Sequence, residues 1–202
     1  MIYVRNDDVL IHSSSWTRPL MRMQQIHEWI QDVKNWPVMH RPGILTTEIQ
    51  EHPECIEWIK EETLQRRMDP QLHGVEHVDY GKFTYDGLIE QLKIGKGWME
   101  DNLTVTPTLW YTPWGAGEAV GQEWMWKAAA QVDLQLVSCA KINKLNGRYG
   151  MVQIAKEGHD LRKFLHEKEI FMHWWERGER LQRVLKAIDA GSWEAAHGPV
   201  TD

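Results

Sequence analysis

Two adjacent carboxylates, Asp7 and Asp8, lie near the start of the chain; two imidazoles four residues apart, His73 and His77, lie in its first half; a third, His173, lies near its end. A carboxylate and two neutral imidazoles make the ligand set of a zinc-type site, with positions left open for water and substrate. The run His73-Gly74-Val75-Glu76-His77 also spells the inverted zinc-peptidase motif, in which both histidines sit one helical turn apart and Glu76 is the base. An interior Gly74 and a nearby Gly81 disfavour a helix there and read better as a strand passing into a loop. The plainest alternative is a pair of surface histidines. Asp7-Asp8 alone would read as a capping or solvated turn, but it follows a β-like run, and adjacent residues at a strand end can be given different tasks.

The elements needed to bring these groups together are visible in the hydrophobic periodicity. Short β-like runs are expected at 2–5, 36–45 (interrupted at Pro42-Gly43), 71–75, 105–111, 134–138, 149–154 and 170–173. Between them lie helical patterns at 21–33, 53–67, 85–103, 116–130, 160–166 and 179–190. Strands alternating with helices predict βαβ units and a mostly parallel sheet. The C-terminal strand ends then form one rim, where active sites of such folds sit. Asp7-Asp8, His73, Tyr111 and His173 all end or follow a β-run, so all are expected at that rim. A single domain over 1–190 is expected, with 191–202 as a tail.

Composition narrows the classes. The chain has 202 residues and a formal net charge of −6, which disfavours a nucleic-acid footprint. No apolar run approaches the ~20 residues of a membrane span, and no basic-plus-apolar leader opens the sequence, so a cytoplasmic protein with no membrane partner is expected. Cys55 and Cys139 belong to no CxxC pair, which argues against a thiolate site or a disulfide framework. Twelve tryptophans against three phenylalanines offer indole walls for a small-molecule pocket, with Trp110, Trp114, Trp124, Trp126, Trp174 and Trp175 in the segments nearest the rim. The seven remaining histidines, His27 and His40 among them, read as polar loop residues.

In order along the chain, Arg5-Asn6-Asp7-Asp8-Val9, His73-Gly74-Val75-Glu76-His77, Tyr111-Thr112-Pro113-Trp114-Gly115 and Ile170-Phe171-Met172-His173 resemble the four motifs of the NodB-type polysaccharide deacetylases. The resemblance spans residue 3 to about 190. It implies a distorted (β/α)7 barrel holding one divalent metal, Zn2+ first and Co2+, Ni2+ or Mn2+ as alternatives. It implies Asp8, His73 and His77 as ligands, Asp7 as catalytic base and His173 as general acid. Tyr111, Trp114, Gly115 and Trp174 are then the substrate-binding candidates. The departures are Arg5-Asn6 and Val9 at less reactive positions, Gly74, where a hydroxyl residue is usual, and Tyr111, where an arginine pairs with the catalytic Asp. Tyrosine supplies no fixed positive charge; Arg5 is the candidate cation to take its place.

The implied reaction is hydrolysis of an acyl group, an N-acetyl above all, from a sugar-like substrate, with water activated beside the metal and the leaving group protonated. Two alternatives stay open: an amide hydrolase acting on a non-sugar small molecule, and a degenerate carbohydrate-binding domain without catalysis. The sequence does not address the oligomeric state.

Overall fold

The computed structural model describes residues 2–10, 18–35, 37–114, 123–138, 150–151, 153–154, 169–173, and 182, 185, 186 and 189. Its strands are β1 (Ile2–Val9), β2 (Val38–Leu45), β3 (Gln71–Gly74), β4 (Leu109–Tyr111), β5 (Gln135–Ser138), β6 (Gly150–Met151), β7 (Gln153–Ile154) and β8 (Glu169–His173). Its helices are α1 (Pro19–Gln31), α2 (Thr46–Ile49), α3 (Pro53–Leu64), α4 (Tyr85–Leu103) and α5 (Glu123–Ala130), with a 3-10 turn at Tyr80–Lys82.

Every described strand pair is parallel, in the order β6-β5-β4-β3-β2-β1-β8-β7. The two ends of this sheet belong to one stretch of chain. Met151 of β6 and Gln153 of β7 are two residues apart, so about 7 Å is the most that can separate them. The sheet thus closes on itself, and because β6 and β7 share that stretch, seven chain segments make the ring. The protein is a distorted (β/α)7 barrel.

The two faces of the sheet differ in chemistry. Val4, Ile44, Leu72, Trp110 and Leu136 are buried with Met23, Ile26 and Ile30 of α1, Ile59 of α3 and Leu88, Leu92 and Met99 of α4 in one apolar core. Full burial of such side chains stabilises by roughly 1.5–3 kcal/mol each. The opposite face is polar. Arg41 lies 3.5 Å from the Tyr3 ring centroid and grips Asp69 at 2.7 and 2.9 Å; Arg5, Asp7, His73 and Tyr111 are all buried and cluster together.

Local sequence explains the element ends. Pro19 and Pro53 open α1 and α3, where a missing N–H costs nothing. Thr84 caps α4 by accepting from Gly87 N, and Thr104 ends it in the left-handed region at φ 57°. Gln71 Oε1 accepts from Thr108 N and Leu109 N at 3.0 and 2.9 Å, which fastens the short β3–β4 pair. β2 is not interrupted at Pro42-Gly43 as expected; it runs through both, because Pro42 stands beside a bulge in β1 where a ladder donor is dispensable. The β4 run is shorter than the expected 105–111. The expected helix at 160–166 and the tail 191–202 lie outside the described residues. Among the described residues no helix is long and apolar enough to cross a membrane.

Candidate metal centre

β1 extends beyond Arg5 through both acids. Its register with β2 shifts between Asn6 (opposite Pro42) and Val9 (opposite Ile44), so Asp7 and Asp8 together oppose Gly43. This is a β-bulge, and Asp8 adopts φ 57° within it. Regular pleating would send neighbouring side chains to opposite faces. The bulge instead brings both acids to one histidine: Asp8 Oδ1 is 2.8 Å from His73 Nε2, and Asp7 Oδ2 is 4.0 Å from His73 Nδ1. Strain of this kind in a non-glycine residue concentrates at functional sites.

His73 sits on β3, and His77 lies beyond its end in an irregular loop. His77 Nε2 is 2.7 Å from the same Asp8 Oδ1, so ligand atoms of Asp8, His73 and His77 all lie within 4.8 Å of one another. The helical arrangement required by the inverted peptidase motif is absent from 73–77, and Glu76 is exposed. Burial alone would raise the Asp8 carboxyl, but the hydrogen bonds and charge of His73 and His77 outweigh it and hold it well below the usual carboxylate range.

Proton accounting at His73 tests whether this trio suits a cation. Its Nδ1 is 2.8 Å from the Tyr111 carbonyl oxygen, which can only accept, so Nδ1 carries the hydrogen. The neutral ring then turns a lone pair at Nε2 toward a carboxylate that also only accepts. Something positive belongs between them, either a second proton or a metal ion. An oxygen, two imidazole nitrogens and a backbone carbonyl fixing the tautomer are the parts of a zinc-type site. The residues fit the group.

Arg5 is fully buried and its Nε donates to Asp7 Oδ1 at 2.6 Å, while Nη2 bonds Asp7 Oδ2. The guanidinium lies over the Tyr111 ring, 3.7 Å from the centroid. Tyr111 is itself fully buried. Gly43 makes room for this stack: a Cβ there would meet Asp7 Oδ1 at 2.8 Å, Tyr111 Cδ2 at 3.3 Å and His73 Cβ at 3.4 Å. Trp114 is 72% exposed, in the left-handed region at φ 57°. Its ring stands 4.9 Å from that of His77, and its Nε1 donates to His77 O at 3.3 Å. Trp110 is instead fully buried, donating to His73 O at 3.2 Å from behind the site. His173 ends β8 in register with Asp7. Gly115 and Trp174 lie outside the described residues.

Cys55 is buried on α3, where burial and Glu54 push its thiol up to about 12, so it offers no thiolate. His27 and His40 correct the expectation of loop residues, for they lie on α1 and β2. Both are buried, with Nδ1 atoms 3.2 Å apart between α1 and β2. Their placement on the apolar faces of an amphipathic helix and a strand was the signal available in the sequence.

No family model and no curated protein sequence matches the chain. Solved structures do match. A family 4 carbohydrate esterase from Streptomyces lividans, solved with acetate, superposes with TM-score 0.61 at 10% identity, over 94% of this chain and 85% of that one. The peptidoglycan deacetylase PdaC from Bacillus subtilis gives TM-score 0.61 at 12% identity, over 95% and 84%. A family 4 pseudoenzyme from Bacillus anthracis gives 0.54 at 12% identity, over 94% and 58%. The chain therefore has the fold of the NodB-type family 4 carbohydrate esterases, the fold its motifs resemble.

Proposed function

We propose that this protein is a metal-dependent deacylase that removes an acyl group, an N-acetyl above all, from a sugar-like substrate. The observation that carries the reading is the convergence of Asp8, His73 and His77 beside a second carboxylate, Asp7, held by Arg5. A divalent cation at that trio, Zn2+ in the first instance, supplies Lewis acidity toward an acyl oxygen and toward water.

The chain's own residues do the rest. Asp7 takes a proton from the attacking water. Arg5 grips this carboxylate bidentately and fixes its orientation. The Tyr111 ring holds Arg5 in place rather than meeting substrate. His173, at the end of β8, returns a proton to the departing amine or alkoxide. Trp114 offers an exposed indole face beside His77 against which an apolar sugar face can stack.

A binding domain without catalysis is the second reading, and the pseudoenzyme among the structural neighbours favours it. Arg5 weighs against it, because a binding module needs no fully buried cation locked onto a second acid. Metal analysis of the purified protein, combined with acetate release from a panel of N- and O-acetylated sugars and simple acetamides, tests the proposal. Metal-dependent acetate release supports it, and preference within the panel separates sugar from non-sugar substrates. Stoichiometric metal without release from any member would leave the binding reading.

A further inference from the structure

The loop that carries His77 has four backbone polar groups between the two histidines, at Val75 and Glu76. Val75 is half-buried and Glu76 exposed, and all four groups have partners within the protein. Val75 O accepts from Thr47 N at 3.0 Å and from Thr47 Oγ1 at 2.7 Å. The other three converge on one phenol, with Glu76 O also accepting from Val78 N at 3.0 Å. Val75 N and Glu76 N donate to Tyr80 Oη at 2.8 and 3.3 Å, and Tyr80 Oη donates to Glu76 O at 3.1 Å. A hydroxyl has one donor and two acceptor sites, and here all three are used.

The phenol is rigidly held. Tyr80 is fully buried, its ring stacked on Phe83 at 5.3 Å and edge-on to Trp110 at 5.6 Å. Gly74 is fitted to it. A Cβ at position 74 would stand 2.5 Å from Tyr80 Oη and 2.9 Å from its Cε2, so the lack of a side chain there lets the hydroxyl reach the loop. Trp110 in turn bonds His73 O at 3.2 Å, so one aromatic pair braces the backbone on both sides of Gly74.

We infer that Tyr80 is a positioning residue for the metal centre: its hydroxyl sets the path of residues 75–76 so that His77 Nε2 meets His73 Nε2 at Asp8. The inference rests on the proposed metal site and adds to it a residue outside the ligand set. Partners of this kind, acting behind the ligands, typically change metal affinity by about 10–100-fold.

Tyr80→Phe keeps the ring and removes only the hydroxyl. The test titrates chelator-stripped full-length protein with Co2+, reading affinity and visible d–d bands, with circular dichroism at the same temperature to show that the protein is folded. The expected result is a folded Tyr80→Phe protein with Co2+ affinity lowered by about tenfold or more and shifted bands. Gly74→Ala is the second variant: it keeps the hydroxyl but forces it off the loop, and it should move affinity and bands in the same direction. Folded variants that bind Co2+ within about twofold of the parent with unchanged bands would overturn the inference alone. A parent protein that binds no Co2+ would overturn the metal site and this inference together.

Discussion

The guanidinium of Arg5 lies over the Tyr111 ring, 3.7 Å from its centroid, and grips both carboxylate oxygens of Asp7. Arg5 comes from β1 and Tyr111 from β4, so the cation beside Asp7 arrives on the acid's own strand, with the aromatic ring as its platform. A planar, permanently charged fork suits this position, because it can bind a carboxylate edge-on while stacking face-on.

Removing that cation takes the bidentate partner from a buried Asp7. Arg5→Ala should destabilise the protein by about 3–5 kcal/mol, the usual cost of breaking a buried ion pair from one side. Urea unfolding of the two proteins measures the difference. Arg5→Lys should lie between them, since it keeps the charge and loses the fork and the stack. A loss under about 1 kcal/mol for Arg5→Ala would place the pair among weak surface bridges and contradict the burial seen here.

How much of this was legible in the sequence depends on the kind of constraint. The bounds of α4 match the expected 85–103, because its apolar residues recur at helical spacing between a threonine cap and a threonine stop. The approach of Asp8, His73 and His77 followed from placing each at a strand end. The bulge in β1 was not legible, since only pairing with Pro42 and Gly43 reveals that two residues oppose one. Tyr80 was not legible either: nothing in its local pattern says that its partners are backbone amides four and five residues earlier. Gly43 and Gly74 read as breaks, whereas each is a vacancy filled by another residue's side chain.

His173 should behave as an acid and not as a ligand. His173→Ala is expected to retain metal at the parent level and to lose turnover by a factor of ~10²–10⁴, the usual range for acid–base groups. Elemental analysis and initial rates on the same preparation separate the two effects. Loss of metal in this variant would mean that His173 belongs to the coordination set.

The pair His27 and His40 gives the fold an acid-sensitive seam. Burial lowers His27 despite Glu62 at 3.1 Å, and burial together with His27 lowers His40 well below the ordinary 6.5. Both therefore take up a proton less readily in the folded protein than in the unfolded chain, which does so below about 6.5. Between the folded and unfolded values the unfolded state binds more protons, so stability rises with pH there. The contribution is fully present above 6.5 and is lost as pH falls toward the folded values. Urea midpoints with chelator present should drop on acidification below that point, and His40→Phe should flatten the dependence. An equal slope in both proteins would show that the seam does not govern it.

The adjacent acids divide the labour in the proposed mechanism, Asp8 holding the metal and Asp7 acting on water. Bound metal per chain, measured for the parent, Asp7→Asn and Asp8→Asn after dialysis against a metal buffer, separates the two roles. One ion is expected in the parent and in Asp7→Asn, with acetate release lost in the latter, and weakened binding in Asp8→Asn. An Asp8→Asn protein that holds metal as tightly as the parent, or an Asp7→Asn protein that is fully active, would contradict this division.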